Sequence, residues 1–424
     1  MSSSAGFRNI LASLKHRDYA VYTYSHMPGL IFMWAQRIAV GWLAWELTQS
    51  PSWLGLIAMA DLLPAVFLAP FAGALADRVN VIKLLLASEI VLVVYSAVLW
   101  LLIITGLIDI WLLFFFSILL GCNHPFGNTG RANVVPLIVP HADLAPAIAL
   151  NAICFNTART AGPMVAGLVI ANSNSTEWIF ALFGIGEVIM VIGILMFRTK
   201  TQPRKGTGGG LTGMARDVTE GVGYVWRHPG IGPALFLLAF ASITTRPSIE
   251  LLPGFADEVF ARGAEGLGWL GAAVGGGGIL GSVWLAWRGG IVGLANIVVM
   301  HTLLMASGLV LFAVVGNFWL ALVFLTLVGF SFNVSGVGSQ TLVQYSVDPV
   351  MRGRVMSIFM LIFRGMPALG ALLIGIAAEF FGLQLAVAVA GAICAAGCVW
   401  AYRRRGAMTE HLEKPGTTSV SAAS

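Results

Sequence analysis

Apolar residues run along the chain in twelve long blocks, at about 19–47, 52–76, 82–106, 110–130, 144–171, 178–197, 231–256, 266–287, 291–315, 318–342, 355–378 and 382–402. Short polar clusters such as Gln49-Ser50-Pro51, Asp77-Arg78-Val79-Asn80 and Asp348-Pro349 separate them. A helix needs roughly 20 apolar residues to cross a bilayer, and every block meets that length. The pattern predicts an all-α membrane protein with twelve transmembrane helices. The 18 polar and basic residues ahead of the first block, and the length of that block, do not fit a cleavable signal peptide. The longest polar stretch, 198–230, divides the chain into an N-terminal half (1–197) and a C-terminal half (231–405), each with six spans. It opens with basic residues and Gly208-Gly209-Gly210, as in a flexible linker. Its second part, Met214 to Arg227, reads as an amphipathic helix on the membrane surface. Residues 406–424 are expected to be a disordered cytoplasmic tail.

Composition excludes a soluble protein. Apolar residues make up 58% and charged residues 10%, against about 45–50% and 25% in soluble domains. The net charge of +5 is a topology signal rather than a nucleic-acid signature. Of the 24 Lys and Arg, 19 fall in one alternate set of loops and tails, Arg131 counted among them. Arg262 alone lies in the opposite set, and Arg37, Arg159, Arg246 and Arg364 lie within spans. This asymmetry places both termini in the cytoplasm and the protein in the plasma (inner) membrane. Cys122, Cys154, Cys394 and Cys398 all lie in apolar blocks and read as small hydrophobes. The seven His form no ligand or nucleophile cluster with Asp or Glu, so no enzyme, metal or cofactor is expected.

The halves resemble each other. Gly121 and Gly329, Gly130 and Gly338, Val135 and Val343, and Val139 and Val347 are all 208 positions apart. More loosely, Arg159 precedes Gly162-Pro163 and Gly167, while Arg364 precedes Gly365, Pro367 and Gly370. Duplicated halves suit a transporter whose path lies at the repeat interface. Small residues also let helices pack closely, and the two readings are compatible.

Three sequence features carry a family resemblance. The second span ends Gly73-Ala74-Leu75-Ala76-Asp77-Arg78, followed by Lys83. This looks like the signature of the loop between helices 2 and 3 in the major facilitator superfamily, although Asn80 stands at its second glycine. The resemblance implies a gating role for Gly73, Asp77, Arg78 and Lys83. The fifth span contains Gly162-Pro163-Met164-Val165-Ala166-Gly167, which resembles the G-P-x-x-G-G motif of exporters and antiporters in that family. The runs Gly41-Trp42-Leu43, Tyr224-Val225-Trp226-Arg227-His228-Pro229 and Arg352-Gly353-Arg354-Val355-Met356 are similar to the branch holding the enterobactin exporter and macrolide efflux proteins. That branch implies a monomeric secondary transporter. It would export a small organic compound (drug-like, siderophore or metabolite) by alternating access, with protons as coupling ion and no cofactor. An importer or facilitator of the same fold and a non-transporting scaffold are the alternatives.

Charges inside the spans are the remaining clue, since each costs about 2.5–3.5 kcal/mol at mid-membrane on insertion scales. Arg37 precedes the outer end of the first helix by about as far as Asp61 follows the outer start of the second. A rise of 1.5 Å per residue sets both roughly 14 Å deep. An Arg37–Asp61 pair is expected, either as a fixed structural bond or as a proton carrier. Arg246 and Glu250 share a helix face at i,i+4, and Pro247 and Pro253 suggest a broken seventh helix lining a cavity. Arg159 and Arg364 sit at similar depth, with Glu89 and Glu187 as counter-charges. They can bind an anionic ligand or lock helices together. His124, beside Asn123 and Pro125, is read as a packing residue with a proton role as the alternative. Trp34, Trp42 and Trp45 suit an interfacial belt or a cavity wall.

Overall fold

A computed structural model describes residues 12–199, 211–403 and 405–414, and these residues are helical apart from short turns and bends. The first six long helices are α1 (Arg17–Thr48), α2 (Pro51–Ala76), α3 (Val81–Ile104), α4 (Ile110–Ile138), α5 (Leu144–Ser173) and α6 (Glu177–Leu195). Next come α7 (Leu211–Arg227), where the amphipathic helix is expected, and α8 (Ile231–Thr244). The series closes with α9 (Gly263–Arg288), α10 (Leu294–Val314), α11 (Phe318–Ser346), α12 (Arg352–Phe381), α13 (Leu383–Arg403) and α14 (Arg405–Leu412). In lipid the backbone must satisfy its own hydrogen bonds, so apolar blocks of this length become helices. Eleven spans among the described residues are long and apolar enough to cross a membrane. The first helix, α1, completes the twelve. Its 32 residues are long enough, but it carries His26, Gln36 and Arg37.

The polar breaks act as caps. Asn80 Oδ1 accepts from the amides of Ile82 (2.9 Å) and Lys83 (3.3 Å) at the start of α3. Asp109 Oδ1 does the same for Leu112 at α4 (2.7 Å), and Asn317 Oδ1 for Leu320 at α11 (3.1 Å). The asparagine that replaces the signature glycine after α2 therefore has its own task. The seventh span is broken as expected. After α8 the chain forms a 3-10 turn at Arg246–Leu251, a short α turn at Leu252–Gly254 and a π turn at Phe255–Val259. Pro247 and Pro253 each remove a backbone donor in this stretch.

Two expectations need correction. Helix α4 runs on to Ile138, about two turns past the expected end, so Arg131 lies inside a helix and not in a loop. Part of the expected disordered tail is the helix α14, whose Met408 and Leu412 are fully buried. The first part of the linker, 200–210, lies outside the described residues.

The chain packs as two compact units. One contains α1, α2 from Ala60 onward, α3 to α6, and α9 through Ala272. The other contains Ser50–Met59, α7, α8 with its irregular extension, α9 from Ala273, and α10 to α14. Glycine seams of the same kind build each unit, at positions 208 apart. In the first, a Cβ on Gly121 of α4 would overlap the Asp61 carbonyl of α2, and one on Gly162 of α5 would overlap Trp34 of α1. In the second, a Cβ on Gly329 of α11 would overlap the Val274 carbonyl of α9, and one on Gly370 of α12 the Ile243 carbonyl of α8. Two further glycines continue the pattern. A Cβ on Gly167 would lie 2.6 Å from the Gly268 Cα, and one on Gly375 would lie 3.2 Å from the Gly55 Cα.

Candidate functional site

Gly121 sets up the first charge cluster. Its lack of a side chain lets α4 close onto the α2 backbone at Asp61. His124 follows three residues later on the same face of α4. Its Nε2 lies 3.2 Å from Asp61 Oδ1, while Arg37 Nη1 of α1 lies 3.2 Å from Asp61 Oδ2. The expected Arg37–Asp61 pair is present, and the imidazole makes it a three-member cluster. The Asp61 side chain is 14% exposed. Nearby, buried Gln36 donates to the Tyr95 hydroxyl at 3.0 Å. A carboxylate held by one permanent cation and one titratable base can change its proton occupancy without moving its backbone.

The second cluster differs from expectation. Glu89 of α3 and Glu187 of α6 do not face Arg159 or Arg364. Arg131 Nη2 reaches Glu89 Oε1 at 3.0 Å and Oε2 at 3.1 Å, and the Glu187 carboxyl packs into the same interior against Gly29. Both Glu89 (0% exposed) and Glu187 (3%) are buried. The arginine was hidden from sequence reasoning because Gly130-Arg131 looks like a helix end. The available signal was the mainly apolar run from Ala132 to Val139, in which no charge follows Arg131. Gly29 of α1 makes room for Glu187: a Cβ there would stand 3.1 Å from Glu187 Oε1. Beside this cluster is a cavity of about 300 Å³, lined by Tyr22, His26, Asn128, Arg131, Asn151 and Phe155 among others.

The other candidates are scattered. The Arg159 guanidinium stands 6.0 Å from the centre of the Trp34 ring, beside the Gly162 seam. Pro163 and Gly167 of the same motif meet Gly271 and Gly268 of α9. Arg246 donates to the Phe363 carbonyl and lies over the rings of Phe332 (4.7 Å) and Phe363 (4.0 Å), with Glu250 in the same 3-10 turn. Arg364 is exposed and does not occupy the place equivalent to Arg159. The 208-residue frame explains this: Arg364 corresponds to Asn156, while Arg159 corresponds to Pro367. Asp77, Arg78 and Lys83 are exposed near the α2–α3 turn. A Cβ on Gly73 would meet no atom of the described residues within 4 Å.

Comparison with known proteins agrees with this architecture. A family model described as transmembrane secretion effector matches residues 9–419. The staphyloferrin A transporter of Staphylococcus aureus is 24% identical over 372 residues, covering 85% of this chain and 90% of that protein. The MFS-type transporter YfiS of Bacillus subtilis is 25% identical, covering 85% of this chain and 86% of its own. Among solved structures, the nucleoside transporter NupG aligns with a TM-score of 0.64 at 12% identity, covering 93% of this chain and 99% of NupG. A POT family transporter in complex with a thioalcohol-conjugated peptide aligns with a TM-score of 0.72 at 12% identity, covering 93% and 97%. The chain belongs to the transmembrane secretion effector family and is a multi-pass membrane transporter of the major facilitator superfamily.

Proposed function

We propose that the protein is a secondary active exporter. It moves a small organic compound, of the drug-like, siderophore or metabolite type, out of the cell in exchange for protons by alternating access. The observation that carries this reading is the Arg37–Asp61–His124 cluster, with both contacts to the carboxylate at 3.2 Å inside the spans. Three charged or titratable groups at that depth cost several kcal/mol, an expense unsuited to packing alone. When Asp61 takes a proton, its hold on Arg37 and His124 weakens. When it releases the proton, the carboxylate recaptures both. A proton load thus changes how α1, α2 and α4 are tied together.

Direction and cargo rest on the names of the family and of a relative. The family description names secretion, and the Staphylococcus relative is named for a siderophore. The exposed Asp77, Arg78 and Lys83 serve as a cytoplasmic latch at the α2–α3 turn, with both termini on the same side. The protein works as a monomer in the plasma membrane. Comparing retained and secreted compounds in a deletion strain and its complemented parent identifies the cargo. Counterflow in proteoliposomes then confirms transport. Export is supported if a compound accumulates inside the deletion strain and moves in counterflow. A compound that instead fails to enter the deletion strain means import and overturns the proposed direction.

A further inference from the structure

We infer that the cavity beside Arg131 binds the oxyanion group of a small organic anion, and that the Glu89–Glu187 pair takes up a proton when it does. This names the substrate class for the proposed transport and rests on that reading for its use. The binding test needs no transport, so the two can fail separately.

The cavity lining supplies donors and a cation without an acid. Its Tyr22 and His26 come from α1, Asn128 and Arg131 from α4, and Asn151 from α5, and no Asp or Glu is among the described residues lining it. Asn151 Oδ1 already accepts from the Tyr19 hydroxyl at 3.0 Å, which leaves its amide nitrogen as a donor. Arg131 Nε is buried without a hydrogen-bond partner among the described residues. A volume of about 300 Å³ suits a small ligand. Planar guanidinium groups pair best with carboxylate-like oxyanions.

The acids explain the proton. Two buried carboxylates beside a single arginine leave one negative charge uncompensated unless the pair holds a proton. One proton on the Glu89 and Glu187 pair, with Arg131 beside them, makes the cluster neutral. An incoming anion takes part of Arg131 and leaves one buried carboxylate uncompensated. Because both acids are buried, that carboxylate is neutralised by a proton drawn from the buffered solvent, which binds to a carboxyl oxygen of the pair. The other titratable groups facing the cluster are Tyr22 and His26 from α1 and Cys154 from α5. Of these, His26 is the competing proton acceptor.

Calorimetry on the purified full-length protein tests this, using benzoate and benzenesulfonate as anions and benzamide as the neutral counterpart. Repeating each titration in buffers of different ionisation heat counts the protons. The expected result is anion binding at least tenfold tighter than benzamide, with uptake of about one proton and affinity rising up to roughly tenfold per pH unit of acidification. Arg131→Gln should remove the anion preference. His26→Gln should keep the proton uptake, and the double variant Glu89→Gln/Glu187→Gln should abolish it. No preference for anions, or an unchanged preference in Arg131→Gln, overturns the site. Loss of uptake in His26→Gln moves the proton to the imidazole and overturns the role of the acids. Should the double variant not fold, the wild-type and His26→Gln titrations decide the matter alone.

Discussion

Two glycines show how much depends on what faces a single Cα. Gly121 abuts the Asp61 carbonyl, and an added methyl would overlap backbone that no rotamer change can clear. Gly121→Ala is therefore expected to destabilise by about 1–3 kcal/mol, as overpacking does. It should also spread α2 from α4 and lengthen the His124–Asp61 contact. Gly73 lies within α2 with no described atom near its Cα face, so Gly73→Ala should gain up to about 1 kcal/mol of helix propensity. Thermal unfolding of the two variants in detergent should shift the melting temperature in opposite directions. A fall in both would mean that Gly73 is packed in the resting protein. The Arg37–Asp61 pair was legible in the sequence because depth along adjacent antiparallel helices follows from residue counting. The place of His124 was not, because it depends on how closely α4 approaches α2.

At the scale of elements, helix ends decided what could be read. The capped starts at Asn80, Asp109 and Asn317 each lie within two residues of an expected span start. The far end of α4 does not match its expected place, and with it went Arg131. Glycine and arginine in sequence suggest a boundary in soluble helices, but inside a bundle glycine is packing material and arginine can pair with buried acids.

The junction of α7 and α8 gives a test at this scale. His228 Nδ1 accepts from the amides of Gly230 (3.2 Å) and Ile231 (3.1 Å). Burial, followed by the charge of nearby His411, holds the His228 imidazole below its ordinary 6.5. The folded junction thus binds fewer protons than the unfolded chain. Its stabilisation is fully present above pH 6.5 and is lost as the pH falls through the lowered value. A proton on Nδ1 also ends its acceptor role. Hydrogen-exchange protection of the Gly230 and Ile231 amides should therefore drop on acidification in the wild type. In His228→Asn, whose amide oxygen can accept without titrating, protection should stay flat. An equal drop in both proteins would assign the effect to another group.

For the whole molecule, the 208-residue repeat links sequence to packing. The matched pairs Gly121/Gly329 and Gly162/Gly370 occupy equivalent seams in their own units. Gly162→Leu and Gly370→Leu should each lower the yield of folded protein to a similar degree, read by size-exclusion chromatography of a fluorescent fusion. A severe loss in one and none in the other would show that the repeat is not structural there. The repeat was visible in glycines because backbone approach tolerates no substitute. It is absent from the charges: Val274 occupies the second-unit place of Asp61, opposite Gly329 as Asp61 is opposite Gly121. The Arg37–Asp61–His124 cluster thus has no acidic counterpart at that place, and the proposed proton coupling belongs to the first unit. The direct test compares wild type and Asp61→Asn in proteoliposomes, using the cargo found with the deletion strain. Counterflow without a gradient should persist in the variant, while accumulation driven by a pH gradient should vanish. Gradient-driven accumulation at the wild-type level in Asp61→Asn would contradict the account.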